Sequence, residues 1–130
     1  MSQFLNKLRV ELVDDITDGT WSVLEAFSYQ SDVAAQTFTV PVGFETDFCS
    51  VPRIPGVFDI LGDRARRAGT VHDFLYTAHP VDRETADKVL KEMVLLCGVD
   101  EVEAEAFYAA VRLGGASHWT PNLSSQISKR

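Results

Sequence analysis

The segment 70–76 (TVHDFLY) constrains the fold of this chain most, because it places polar side chains within a helical pattern of small and apolar residues. The pattern recurs at spacings of three and four, as on one face of an α-helix, at positions 65, 68, 69, 72, 75 and 76. His72 and Tyr76 lie on this face, whereas Asp73 points about 100° around the helix axis. Polar groups on a packed face need partners, so we expect a neighbouring element with a complementary polar residue.

A second periodic segment offers that residue. Pro80 is expected to end the first helix, and Asp82 is the predicted N-cap of the next, which has a wide apolar face and stops at Gly98. Asp87 comes near the start of this face, where a carboxylate is costly unless it is hydrogen-bonded. Two antiparallel helices joined by a short loop would bring Asp87 to His72. The sequence therefore predicts a helix pair with a polar contact at its interface.

The remaining segments predict the fold class. A third helix is expected between Asp100, which forms a capping-box pattern with Glu103, and Gly114. Strand patterns occur earlier, and we predict strands at 8–13, 21–29 and 37–42. The predicted fold class is α+β, in which an amino-terminal antiparallel β-meander precedes three helices in a single domain. Its parts are a β-rich region at 1–45, a helical region at 62–115 and a tail at 117–130.

Composition limits the partners and the compartment. The chain has a net charge of −7, and phosphate contacts need a cationic face, so we expect no nucleic-acid binding. The basic cluster at 64–67 is interpreted as a solvated helix turn paired with neighbouring acids. The sequence starts without a secretion-signal pattern, and no apolar run approaches the ~20 residues that cross a bilayer. We expect a protein that is made and kept in a cytoplasm, or carried out as part of an assembly.

His72 and the acids around it form the candidate catalytic site. A histidine that acts as a general base needs a partner on its second ring nitrogen, which fixes the tautomer and stabilises the imidazolium. Asp87 is predicted to be that partner, and Tyr76 is predicted to hold Asp87 through its hydroxyl. Asp73 is predicted to bind calcium together with loop carbonyl oxygens, the ligands that this cation prefers. Such a site suits the hydrolysis of an ester.

A second interpretation of the same residues stays open. A buried His-Asp-Tyr network can tie two helices together without any catalytic role. The two interpretations share a fold, and they differ in whether the outer side of His72 meets a substrate.

The loop 43–53 places Thr, Asp, Ser and Arg between apolar residues. Asp47, Ser50 and Arg53 are candidate binding residues if this loop walls a site that is built on the helices. The alternative is a structural corner in which side chains of the loop satisfy its own turn amides. Cys49 in this loop and Cys97 fit no metal-ligand spacing, and they are predicted to be buried free thiols, with a disulfide as the alternative.

Several separated motifs resemble, in the same order, those of a family of small bacteriophage and prophage proteins of unknown function. They are GFETDFCSVPR at 43–53, HDFLY at 72–76, AD at 86–87, GV at 98–99 and YAAVR at 108–112. The resemblance implies a phage origin, synthesis in the host cytoplasm and other phage structural proteins as partners, with a place in the virion or an action on the envelope. It implies no particular activity.

The pattern HDxxY at 72–76, followed by an Ala-Asp pair at the start of the partner helix, is similar to the active site of phospholipases A2, above all the compact viral form in parvovirus capsid proteins. The resemblance implies that His72 is the general base, Asp87 the carboxylate that orients it, Tyr76 the supporting tyrosine and Asp73 the calcium ligand. It also implies a phospholipid membrane surface as partner. The chain departs from that family in having Pro55-Gly56 where those enzymes have a glycine-rich calcium loop.

Overall fold

The amino-terminal region forms two small antiparallel sheets in the computed structural model, which describes residues 1–13, 19–47 and 64–119. In spatial order, the first sheet contains β1 (Gln3–Phe4), β4 (Phe27–Ser31) and β5 (Gln36–Val40). The second contains β2 (Val10–Leu12), β3 (Trp21–Val23) and β6 (Glu45–Thr46). The described part of the helical region contains α1 (Arg64–Ala78), α2 (Arg83–Leu96), α3 (Glu101–Gly114) and a 3-10 helix at Gly115–His118. The predicted α+β fold class is confirmed.

The prediction of one continuous strand at 21–29 is wrong, because β3 and β4 belong to different sheets. In an unbroken strand Glu25 would share a face with Val23 and Phe27, which are both buried. The break lets Glu25 reach the surface, where it pairs with Arg9 at 3.5 Å. Asn6 holds the break through hydrogen bonds to the carbonyl of residue 26 and the N–H of residue 28. The strand pattern at 21–29 therefore predicts extended structure correctly, but it does not indicate that the chain passes from one sheet to the other.

The helix ends follow the sequence signals. The Asp82 side chain accepts a hydrogen bond from the N–H of Thr85 at 2.8 Å, and the Asp100 side chain accepts one from the N–H of Glu103 at 2.8 Å, so both predicted N-caps are confirmed. Leu96 was predicted to lie on the apolar face of α2, and this prediction is wrong because its side chain is about half exposed. Among the described residues, no helix has the length and apolar character that crossing a membrane requires.

The core lies between the first sheet and the helices, and it contains large side chains from both, including Phe27, Tyr29, Leu75, Leu90, Met93 and Phe107. The start of α1 contacts both sheets, because the Arg66 guanidinium lies 5.1 Å from the Trp21 ring centre and the Arg67 guanidinium 5.0 Å from that of Phe4. These two arginines therefore stack on aromatic rings, and the predicted pairing with acids is not found for them in the described part of the chain. The packing fixes α1 and α2 side by side.

Candidate active site

Asp87 and His72 meet at the interface of α1 and α2. The His72 Nε2 and Asp87 Oδ1 atoms are 3.0 Å apart, and both side chains are fully buried. The contact forms because a short connection between the helices turns the chain back, so that the first turns of α2 lie beside the second half of α1. The predicted contact between these two residues is confirmed, and their catalytic role stays a prediction.

Tyr76 completes the predicted triad. Its hydroxyl donates a hydrogen bond of 2.5 Å to Asp87 Oδ1, the same oxygen that His72 contacts. Burial, and then the hydrogen bond to Asp87, raises the pKa of the Tyr76 hydroxyl above its usual range. The hydroxyl therefore keeps its proton and acts as a donor, as predicted.

Arg112 and Arg83 also belong to this cluster, and neither was among the predicted site residues. Arg112 Nη1 donates a hydrogen bond of 2.8 Å to Asp87 Oδ2, and Arg83 Nη1 lies 3.7 Å from the same oxygen. The Arg83 guanidinium also donates to the carbonyls of Val111 and Arg112, at 3.3 Å each, so it links α2 to the end of α3. A usable signal existed for Arg83, because it precedes Asp87 by four residues on one helix.

The ionised form of Asp87 dominates in this cluster. Burial alone would raise the pKa of the Asp87 carboxyl, but hydrogen bonds from His72, Tyr76 and Arg112 outweigh it and lower the pKa below its usual range. The hydrogen bond to this carboxylate in turn raises the pKa of Arg112. Because an ionised carboxylate only accepts hydrogen bonds, the His72 Nε2 atom donates the proton of this hydrogen bond.

Gly115 and Trp119 close the Tyr76 side of the cluster. A Cβ atom at Gly115 would lie 2.5 Å from the Tyr76 hydroxyl, so only glycine leaves room for that hydroxyl. The Trp119 ring meets the Tyr76 ring edge-on at 5.1 Å and stacks on the His79 ring at 3.8 Å. His79 ends α1 with a positive φ of 55°, and its Nε2 donates to the Tyr76 carbonyl at 2.8 Å.

Asp73 points away from this cluster, as its position on the helix predicted. Its Oδ2 atom accepts a hydrogen bond from the Thr46 hydroxyl, which joins α1 to β6. Among the described residues, no group of three or more His, Cys, Asp and Glu side chains is placed to hold a metal ion. The loop that was predicted to complete a calcium site with Asp73, at 55–56, lies outside the described residues, so this site stays a prediction.

The candidate binding residues of the loop 43–53 are only partly within the described residues. Asp47 is exposed and directly follows β6. The prediction that the whole of 43–53 is a loop is therefore wrong at 45–46, which form this strand. Ser50, Arg53 and Cys49 lie outside the described residues, so the predicted corner and the predicted wall both remain predictions. Cys97 is buried, as predicted.

One family model matches this chain, over residues 21–111. That span runs from β3 into α3, covers more than two thirds of the chain, and includes His72, Tyr76 and Asp87. No curated protein and no solved structure gives a significant match. The chain therefore belongs to DUF1353, a family of proteins of unknown function.

Proposed function

We propose that this chain is a bacteriophage or prophage protein that hydrolyses ester bonds of phospholipids at His72, in the manner of a phospholipase A2. The observation that carries the proposal is the shared oxygen of Asp87, which accepts hydrogen bonds from His72 and Tyr76 at once. Because this carboxylate is ionised, Nε2 of His72 donates a hydrogen bond to it, and Nδ1 is the nitrogen that would act as the base. A general base requires this arrangement of tautomer and orientation.

The proposed proton transfers use these side chains and a water. Nδ1 of His72 takes a proton from the water, whose oxygen forms a bond to the acyl carbon of the ester. The bond between that carbon and the alcohol oxygen then breaks, and the imidazolium returns its proton to the leaving alkoxide. Asp87 stabilises the transient imidazolium through Nε2. We also propose calcium as a cofactor, which Asp73 and loop carbonyl oxygens would hold and which would stabilise the oxyanion.

The proposed setting follows from the phage resemblance of the sequence motifs. We propose synthesis in the host cytoplasm, followed by assembly into the virion tail or baseplate or by action on the host envelope. The partners would be other phage structural proteins or the phospholipid surface itself.

A second candidate function is a non-catalytic structural or assembly component of a phage. The observation that favours it is burial, because His72 and Asp87 are both fully inaccessible in the described structure. A substrate must reach Nδ1 of His72 for catalysis, whereas a network that only ties α1 to α2 needs no access. The His-Asp-Tyr contacts would then be purely architectural.

Release of fatty acid from phospholipid vesicles separates the two candidates. The wild-type protein is expected to release it at millimolar calcium, and His72→Gln should lower the rate by about 100-fold or more, the usual contribution of a general base. Release should need calcium, and Asp73→Asn should abolish it while leaving the fold intact. His118→Gln is the matched control, since His118 is exposed and lies in the 3-10 helix after α3.

Folding of each variant is checked by thermal unfolding before its rate is measured. Calcium should also raise the melting temperature of the wild-type protein and leave that of Asp73→Asn unchanged, because a ligand that binds only the folded state stabilises it. A folded wild-type protein that releases no more fatty acid than His72→Gln would overturn the hydrolytic proposal and leave the structural component.

A further inference from the structure

The outer edge of β5 is the longest strand edge that the described residues leave without a partner strand. β5 has five residues and ends the first sheet, whereas the opposite edge is β1, with two residues. No charged residue occurs from position 33 to position 44. Proteins usually protect an edge of this kind with charged side chains, proline or a bulge. Within β5 itself no proline or charge is present.

The hydrogen bonds of the first sheet show which groups of β5 face outward. Ser28 directs its backbone toward β1, because its carbonyl accepts from the N–H of Leu5 at 2.9 Å and its N–H donates to Asn6 at 3.0 Å. Backbone direction alternates along a strand, so Tyr29 faces β5, where it is paired with Phe38. The backbone groups of Thr37 and Thr39 therefore point to the open edge.

We propose that this edge pairs with the same edge of a second copy of the chain, antiparallel about a two-fold axis at Phe38. Thr37 of each copy then lies opposite Thr39 of the other, and each pair exchanges both backbone hydrogen bonds. Each neighbouring register places a threonine of β5 opposite a residue that cannot complete a strand pair. One sets Thr39 opposite Ala35, whose φ of 55° is incompatible with a strand, and the other sets Thr37 opposite Pro41, which has no N–H.

The residues at the ends of β5 and the charge of the chain also favour a second copy of the chain as the partner of this edge. Val33 and Val42 flank β5 and are 50% and 63% exposed. In an antiparallel pair the end of β5 near Val42 of one copy lies beside the end near Val33 of the other, so the exposed apolar groups are brought to the same place. Two copies that each carry a net charge of −7 repel, and this uncharged edge is where their close approach costs least. The paired area is small, which predicts a weak and reversible dimer.

Sedimentation velocity from micromolar to millimolar concentration tests the proposal with two matched double variants. Both change the exposed side chains of Thr37 and Thr39. T37K/T39K places lysine opposite lysine in the proposed register and should stay monomeric. T37K/T39E places lysine opposite glutamate and should dimerise, as the wild-type chain should.

Circular dichroism of dilute samples verifies that both variants fold, since each loses the contact of the Thr39 hydroxyl with the Ser28 hydroxyl. A wild-type protein that remains monomeric at millimolar concentration overturns the proposal. Dimerisation of T37K/T39K also overturns it, because the edge is then not the interface. A T37K/T39E protein that remains monomeric overturns the register, since a pairing of Thr37 with Thr37 would set lysine against lysine.

Discussion

Two carboxylates of α2, one buried and one partly buried, join this helix to its neighbours in different ways. Asp87 faces α1 and α3, and its donors are His72, Tyr76 and Arg112. Glu92 faces the first sheet. It accepts hydrogen bonds from the Tyr29 hydroxyl at 2.7 Å, the Ser31 hydroxyl at 2.8 Å and the N–H of Val33 at 3.0 Å. Both carboxylates join α2 to a neighbour, but every donor to Glu92 is neutral.

The difference indicates what the Asp87 cluster contains beyond a structural link. The Glu92 cluster shows that hydroxyl and amide donors are sufficient to attach α2 to another element. At Asp87 the fold instead places an imidazole and a guanidinium against the carboxylate, and buried ionisable groups carry a desolvation cost. In both clusters burial and the carboxylate raise the pKa of a tyrosine, Tyr29 or Tyr76, so the tyrosines do not distinguish them. The imidazole and the guanidinium are the distinguishing groups, and the imidazole is the one that the proposed hydrolysis uses.

The largest expected effect is on stability. Asp87→Ala should lower the free energy of unfolding by about 3 to 5 kcal/mol, because it leaves His72 and a guanidinium without their acceptor. Glu92→Ala should lower it by about 1 to 3 kcal/mol, the cost of leaving neutral donors unsatisfied. Urea unfolding monitored by circular dichroism measures both. Equal losses in the two variants would remove the distinction between a charged and a neutral cluster.

A smaller loss is expected when the Asp87 cluster is disturbed through its packing alone. Gly115→Ala should cost about 1 to 3 kcal/mol, because the new Cβ atom would meet the Tyr76 hydroxyl at 2.5 Å and Arg83 Nη1 at 3.1 Å. The φ of Gly115 is −75°, so the cost is steric and not conformational.

Gly114→Ala is the matched control for that change. No atom lies within 4 Å of a Cβ at Gly114, whose φ is −103°, so the same substitution one residue earlier should be neutral or slightly stabilising. Thermal unfolding of the two alanine variants, side by side, makes the comparison. If both behave like the wild-type protein, the Tyr76 hydroxyl is not confined as the structure describes.

Local and short-range features of this fold were predictable from the sequence, and long-range ones were not. The caps at Asp82 and Asp100 depend on neighbours within three residues. The contact of His72 with Asp87 was also predictable, because a short connection between two helices leaves few ways to arrange them. These predictions succeeded since the chain itself limits the geometry.

Arg112 and Glu92 show where such reasoning ends. Arg112 reaches Asp87 from another helix, so its role depends on the packing of α3, which no local pattern specifies. Glu92 has the sequence pattern of a surface residue of α2, and it becomes an acceptor because β4 and the turn after it are placed beside it. The break between β3 and β4 was missed for a related reason, since sheet membership is decided by partners distant in sequence. The binding role of Ser50 and Arg53 remains a prediction.

The smallest expected effect is a pH dependence of the free energy of unfolding. It arises from Asp87 and tests whether this carboxylate is ionised in the folded protein. Burial opposes ionisation of this carboxyl, but the hydrogen bonds from His72, Tyr76 and Arg112 lower its pKa in the folded protein. In the unfolded chain an aspartate has a pKa of about 4, so as the pH falls below that value the unfolded state binds a proton before the folded state does. The stabilisation from Asp87 is therefore complete above about pH 4 and is lost as the pH falls toward the folded pKa.

Asp87→Asn removes this contribution and isolates it from other acids. Asp82 also has a lowered pKa, through its hydrogen bonds to Thr85, and it gives acid loss of the same sign in both proteins. The free energy of unfolding of the wild-type protein should thus fall more steeply below about pH 4 than that of Asp87→Asn, and the two curves should converge in acid. Urea unfolding at a series of pH values measures the slopes. Parallel curves would mean that folding does not lower the pKa of Asp87. An ionised Asp87 would then no longer account for the orientation of the His72 ring.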